Sequence, residues 1–187
     1  MNIEQLEGYN KKDKTISVVD VCKKGLLIIL PCFIIGIALY YIIYGWYDWS
    51  KQPWTDYFIN AGIFIVGFVI HEGIHYLLNY IYSDKDKSSV VFGSDSNYLK
   101  TYCYTTKAIT IKQYKLQLFL PLLITGIIPY LIGIIVGSFH MVIASSCLIG
   151  MCGVDVKLLL MFRKEKNDSY IVQEDKEDIY GGIVYSK

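Results

Sequence analysis

Long apolar stretches alternate with short charged segments along this chain of 187 residues. An α-helix needs roughly 20 predominantly apolar residues to cross a bilayer. Four stretches approach or exceed that length, at about 25–46, 57–82, 114–137 and 139–162. Internal prolines do not exclude helices there, because neighbouring membrane helices can compensate for the missing hydrogen bonds. The pattern therefore predicts an all-α integral membrane protein with four transmembrane helices.

The polar segments around these stretches predict the domain limits and the orientation. We expect residues 1–24 to form an N-terminal segment, 25–162 one four-helix membrane domain, and 163–187 a tail. The first segment carries acids and lacks the apolar centre of a signal peptide, so the first helix is expected to stay as an anchor. Lysine and arginine are concentrated in the N-terminal segment, the middle connection and the tail. By the positive-inside rule, both termini and the middle connection lie in the cytoplasm of a cell-membrane protein, and the loop around Trp49 lies outside.

The middle connection has the composition of a small β-hairpin. Three apolar residues, Val90 to Phe92, precede a turn-forming cluster of Gly, Ser, Asp and Asn, and Tyr98, Tyr102 and Tyr104 then alternate with other residues. This pattern predicts a cytoplasmic hairpin, although a solvated connector is an equally acceptable interpretation. The tail contains one further strand-like stretch, "GIVYS".

Composition supports the membrane interpretation and excludes other classes. The chain is 53% hydrophobic with a mean hydropathy of +0.37, beyond an ordinary soluble domain. A net charge of +1 gives no basic field for nucleic acid, and no glycine-rich nucleotide loop is present. The five cysteines are scattered without a CxxC pair, which favours reduced, packed thiols over a disulfide framework.

Three ionisable residues interrupt the second apolar stretch, in the order His71-Glu72-Gly73-Ile74-His75. Charged groups at bilayer depth are costly and usually mark a functional site. One interpretation is that these residues are hydrogen-bonded polar groups in the protein core without a functional role. The HExxH spacing instead favours a metal-binding site. Residues four apart share one helix face, so His71 and His75 can hold one cation, and Glu72 is placed to take a proton from the attacking water. Neutral imidazoles suit Zn²⁺, which is the expected cofactor.

A catalytic zinc usually takes a third protein ligand. Asp155 is the other carboxylate at membrane depth, and it lies about 8 residues from the inner boundary, as His75 does. At about 1.5 Å per residue these depths agree. His140 lies about 22 Å from Asp155 along a straight helix, so we expect it at the outer rim. Cys152, one turn before Asp155, is the alternative third ligand.

An HExxH helix followed by an aspartate on a later membrane helix resembles the site-2 protease class of intramembrane metalloproteases. A closer resemblance is to a bacterial membrane family of unknown function described as putative zincin peptidases. The stretches that carry it are "HEGIHYLL", "TYCYTT", "KAITIKQY", "LFLPLLITGIIPYLIG" and "GMCGVDVKLLLMFRK". The resemblance implies zinc ligation by His71, His75 and Asp155, with Glu72 as general base. The chain departs from the site-2 protease pattern in having "GVDV" where that class has Asn-Pro-Asp-Gly.

These observations predict a membrane-embedded zinc metallopeptidase that hydrolyses peptide bonds of membrane or membrane-proximal proteins. We expect a membrane-protein substrate bound in extended form, because a helical peptide bond is shielded by its own hydrogen bonds. The alternatives are a non-catalytic metal-binding or metal-translocating membrane protein and an inactive protease-like scaffold. Glu72 favours hydrolysis, since an ion carrier needs ligands but no base beside the first histidine.

Overall fold

The computed structural model describes residues 3–47, 53–95, 100–173 and 179–187. Six α-helices and six β-strands are seen in these ranges. The helices are α1 (Val18–Tyr44), α2 (Trp54–Tyr82), α3 (Ile111–Pro121), α4 (Ile128–Val136), α5 (Phe139–Met151) and α6 (Gly153–Phe162). The strands are β1 (Asn10–Ser17), β2 (Val90–Asp95), β3 (Lys100–Thr105), β4 (Ile109–Thr110), β5 (Tyr170–Gln173) and β6 (Ile179–Ser186).

A four-stranded antiparallel sheet in the order β1-β6-β5-β4 joins three distant parts of the chain. All eight residues of β1 pair with β6, from Asn10 opposite Ser186 to Ser17 opposite Ile179. A core of buried apolar side chains lies between this sheet and helices α3 and α6: Ile109, Ile111, Tyr114, Leu118, Leu158, Phe162, Ile171 and Val184. The N-terminal segment, the start of α3 and the tail therefore lie together at one end of the helices.

The expectation of an all-α fold is wrong. Besides the four-stranded sheet, β2 and β3 form a second antiparallel sheet. The strand β1 escaped prediction because its sequence, "NKKDKTIS", is charged and shows no apolar alternation. Charged residues are common on edge strands, where they discourage pairing with other chains, and β1 lies at an edge of the described sheet. Its pairing with the apolar β6 outweighs its own weak strand propensity.

The expectation of four membrane-crossing helices is wrong as well. By length and composition, two described helical runs could cross a membrane: Trp54–Tyr82, and Ile111–Val136, which joins α3 to α4. A third run qualifies if α5 and α6 count as one, but the two are bent by 47°. In α1 the described apolar part is the shorter segment Phe33–Tyr44. Hydropathy alone detects apolar length, and it does not reveal the break at Cys152.

The predicted hairpin is confirmed. Strand β2 pairs with β3 from Val90 opposite Thr105 to Asp95 opposite Lys100. Its turn, including Tyr98, lies outside the described residues. The strand predicted at "GIVYS" is also confirmed and forms part of β6.

Local signals define the helix ends that matter for the site. Gly137 ends α4 in the left-handed conformation, with φ of 70°, and the Ser138 side chain caps α5. A capping box between Thr110 and Gln113 starts α3. Between α3 and α4 the chain forms a π-helical turn, Leu122–Ile127.

Candidate metal centre

A polar stripe runs along one face of α2. His71, His75 and Asn79 are spaced one turn apart and all are buried, and Ser83 continues the stripe just beyond the helix. His71 and His75 supply imidazoles and are 6% and 8% exposed, respectively. Asn79 and Ser83 hold the hairpin, because Asn79 donates to the Cys103 carbonyl and Ser83 Oγ lies 2.9 Å from Thr105 Oγ1. The same helix face therefore positions the histidines and β3.

The bend between α5 and α6 places Asp155 opposite the histidines. Cys152 has a non-helical ψ of 4°, and α6 begins at the flexible Gly153, so Asp155 falls in the first turn of a new helix. A carboxylate there is stabilised by the positive end of the helix dipole. Gly67 lets α5 approach α2, since a Cβ at that position would overlap the Leu148 side chain. Asp155 is 9% exposed.

Three donor atoms form a nearly equilateral triangle in this space. Nε2 of His71 lies 3.2 Å from Nε2 of His75, and Oδ2 of Asp155 lies 3.4 Å and 3.6 Å from these two nitrogens. Zinc bonds to nitrogen and oxygen of about 2.0–2.1 Å place tetrahedral ligand atoms about 3.3–3.4 Å apart. The triangle thus fits one face of a tetrahedral zinc site. The structure brings these three predicted residues together, and their role as ligands stays a prediction.

Cys152 approaches the same histidine from the other side. Donor atoms of His71, Cys152 and Asp155 also lie within 4.8 Å of one another. However, Sγ of Cys152 contacts Nδ1 of His71 at 3.7 Å, whereas Asp155 faces Nε2. One imidazole offers a single nitrogen to a given ion, so the geometry favours Asp155 over Cys152 as the third ligand beside both histidines.

The predicted base, Glu72, faces a cavity of about 280 Å³ beside the triangle. Its Oε1 accepts a hydrogen bond of 3.3 Å from the Thr101 hydroxyl on β3. Both histidines and Asp155 also line this cavity, together with residues of β3 and β6. The site thus combines a donor triangle, a carboxylate at its edge and room for a ligand.

Cys103 also lines the cavity. Burial raises the pKa of the Cys103 thiol to about 11, although a hydrogen bond from Asn79 opposes the shift. In the metal-free protein this thiol is therefore protonated at neutral pH.

His140 lies apart from the donor triangle, as its position in the sequence suggested. Its Nε2 is 3.5 Å from Oδ2 of Asp56, in the first turn of α2. Fifteen residues of helix separate Asp56 from His71, which corresponds to about 22 Å.

Sequence reasoning missed three residues that support the site: Asn79, Ser83 and Thr125. Asn79 and Ser83 continue the four-residue spacing of the histidines, and that periodicity was a usable signal. Thr125 lies 3.4 Å from Nδ1 of His71, and the π-helical turn that brings it there has no simple sequence pattern.

Comparison with known proteins agrees with this geometry. No curated protein and no solved structure matches the chain. A family model with the description "Putative zincin peptidase" matches residues 64–170, more than half of the chain. The matched range contains the HExxH motif, the hairpin and Asp155. The chain therefore belongs to this zincin peptidase family.

Proposed function

We propose that this protein is a membrane-embedded zinc metallopeptidase that cleaves membrane or membrane-proximal proteins. The observation that carries the proposal is the triangle of His71 Nε2, His75 Nε2 and Asp155 Oδ2, with sides of 3.2–3.6 Å. Glu72 adjoins His71 in sequence and faces the cavity beside the triangle. Two neutral nitrogen donors and one carboxylate match a zinc site that keeps one open position.

Zinc, when bound, supplies a Lewis acid that polarises the scissile carbonyl and makes water a better nucleophile. The chain supplies the proton transfers. Glu72 accepts a proton from the attacking water and passes it to the leaving amine. The hydroxyl of Thr101 holds one oxygen of that carboxylate, so the other is available for the water.

Strand β3 offers an edge for an extended substrate. The carbonyl of Cys103 accepts from Asn79 on α2, whereas the amide of Thr106 donates to Ser89 beside β2. Backbone N–H and C=O groups of successive residues point to opposite sides of a strand. Because the Thr106 groups face β2, those of the odd-numbered residues of β3 point away from β2. Thr101 therefore directs its backbone amide and carbonyl toward the cavity side. A peptide pairing there is held extended, with its peptide bonds open to attack.

The apolar helices embed the protein in the cell membrane in this proposal. The sheet joins the N-terminal segment, the start of α3 and the tail, so these parts lie on the same side of the bilayer. These segments carry most of the lysine and arginine, which supports a cytoplasmic location for them.

Comparison of wild-type protein with Glu72→Gln tests the peptidase activity. We expect both proteins to purify with the same zinc content, because Glu72 is not a ligand. Cells producing the wild type should accumulate new protein N-termini that are missing with Glu72→Gln. The exposed Glu7→Gln serves as a matched control and should behave as the wild type. Identical N-termini in all three, with zinc bound, would contradict hydrolysis and favour a metal-binding scaffold.

A further inference from the structure

The cavity beside the donor triangle has an apolar side that the proposed chemistry does not use. Several residues that line the cavity also belong to the hydrophobic core between the four-stranded sheet and helices α3 and α6. These residues, here called the apolar wall, are Tyr114, Leu118, Val154, Leu158 and Tyr180. Because they pack in one cluster, they form a continuous surface.

Helices α3 and α6 each contribute one face to the apolar wall. Tyr114 and Leu118 are four residues apart on α3, and Val154 and Leu158 are four residues apart on α6, so each pair shares a helix face. Asp155 directly follows Val154 and lies three residues before Leu158, which makes it their neighbour on the surface of α6. The apolar wall therefore begins beside the donor triangle.

An extended peptide at this site can direct one side chain to the apolar wall. The cavity is lined by residues of β3 and Glu72 as well as by the apolar wall. Successive side chains of an extended chain point to opposite faces. A residue next to the bond held at the triangle is therefore the one whose side chain the apolar wall can receive.

Volume and charge decide which side chain fits there. The cavity measures about 280 Å³, and a cavity of about 150 Å³ already holds a benzene molecule. One large side chain and a short stretch of backbone therefore have room. Among the lining residues that the structure describes, none is lysine or arginine, whereas Glu72 and Asp155 are carboxylates. An acidic side chain would be buried without a cationic partner, and a basic one would compete for carboxylates that the proposed mechanism needs.

We propose that the apolar wall is a specificity subsite that binds one large apolar side chain, such as leucine, from a residue flanking the scissile bond. This inference rests on the proposed function for the presence of a scissile bond. It narrows the substrate class to peptides with a large apolar residue at the cleavage site. Tyr180 lies outside residues 64–170, so the C-terminal strand adds to the subsite a residue that the matched family range does not contain.

Peptide binding to the purified Glu72→Gln variant separates recognition from cleavage. The probes are acetylated and amidated peptides Gly-Ala-X-Ala-Gly, in which X is leucine, tryptophan, aspartate or lysine. A single methylene group in an apolar pocket is worth about 10-fold or more in discrimination. We therefore expect the leucine and tryptophan peptides to bind at least about 10-fold more tightly than the aspartate and lysine peptides.

Substitutions in the Glu72→Gln background locate the binding. Leu158→Ala widens the apolar wall, so the affinity for the leucine peptide relative to the tryptophan peptide should fall about 10-fold. Leu159→Ala is the matched control, because Leu159 packs against the same core without lining the cavity, and the ratio should stay at its starting value. Val154→Ala widens the wall at a partly buried residue and serves as the second variant if Leu158→Ala does not fold.

The outcomes distinguish the subsite from the peptidase activity. Equal or absent affinity for all four peptides would overturn the inference. An unchanged ratio in both widened variants, the same as in Leu159→Ala, would overturn it as well. Wild-type protein that leaves a tightly bound leucine peptide uncut would instead refute the proposed hydrolysis and keep the subsite.

Discussion

The side-chain amide of Asn79 donates to the main-chain carbonyl of Cys103 over 3.1 Å and thereby fixes β3 to the helix that carries the HExxH motif. The same amide nitrogen donates to the His75 carbonyl at 3.0 Å. Asn79 is fully buried, one turn beyond His75. One side chain thus couples the backbone of the metal helix to the strand beside the cavity.

Replacing Asn79 with Leu should loosen β3 from α2. The substitution leaves the Cys103 carbonyl with the longer contact from Gln117, at 3.5 Å, and we expect a loss of about 1–3 kcal/mol in stability. Hydrogen exchange of the β3 amides, measured by mass spectrometry, should accelerate. Asn60→Leu is a matched control, because the Asn60 amide bonds the Asp56 carbonyl of its own helix. Equal protection of β3 in both variants would contradict this role of Asn79.

Two substitutions at Thr101, compared with each other, separate its backbone from its side chain. Thr101→Pro removes the hydroxyl and also a backbone donor that points away from β2, so KM for an identified substrate should rise above that of Thr101→Val while zinc content stays constant. Thr101→Val keeps that donor and removes the hydroxyl that holds Glu72, so kcat should fall with little change in KM. Tyr102→Pro disrupts pairing to β2 instead and reports on the hairpin itself. If Thr101→Pro leaves KM unchanged, the substrate is not held by this edge.

The membrane orientation can be checked with reporter fusions. Fusions at the hairpin and at both termini should report the cytoplasm. The loop around Trp49, which the sequence predicted outside the cell, lies outside the described residues. Opposite locations for the hairpin and the C-terminus would contradict the orientation, and also the pairing of β4 with β5.

The contact between β1 and the segment after α6 should depend on pH through Glu165. Burial alone would raise the pKa of Glu165, but Lys12 and Lys14, each 3.0 Å from Oε1, outweigh it and lower the pKa below 4.5. A lowered carboxyl pKa gives stability that is complete above the unfolded value and lost as pH falls through the folded one. The midpoint of thermal unfolding should therefore drop more steeply below pH 4.5 in the wild type than in Glu165→Gln. Parallel pH profiles would show that the ion pairs add no stability.

The parts of the site that depend on local spacing could be predicted from the sequence. The four-residue spacing of His71 and His75 places them on one helix face in any helix. Counting residues from the inner boundary placed Asp155 at their depth, although the bend at Cys152 was not foreseen. The charged β1 was missed because its pairing with β6 joins opposite ends of the chain. Thr125 was missed because its contact with His71 depends on a π-helical turn, and a threonine near a proline does not by itself predict such a turn.

Zinc content per chain, measured by elemental mass spectrometry on purified wild type, Asp155→Ala and Cys152→Ala, tests the donor triangle most directly. If His71, His75 and Asp155 hold the ion, the wild type and Cys152→Ala contain one zinc per chain, and Asp155→Ala loses most of it. Full occupancy in Asp155→Ala together with loss in Cys152→Ala would contradict the assignment and make the cysteine the third ligand.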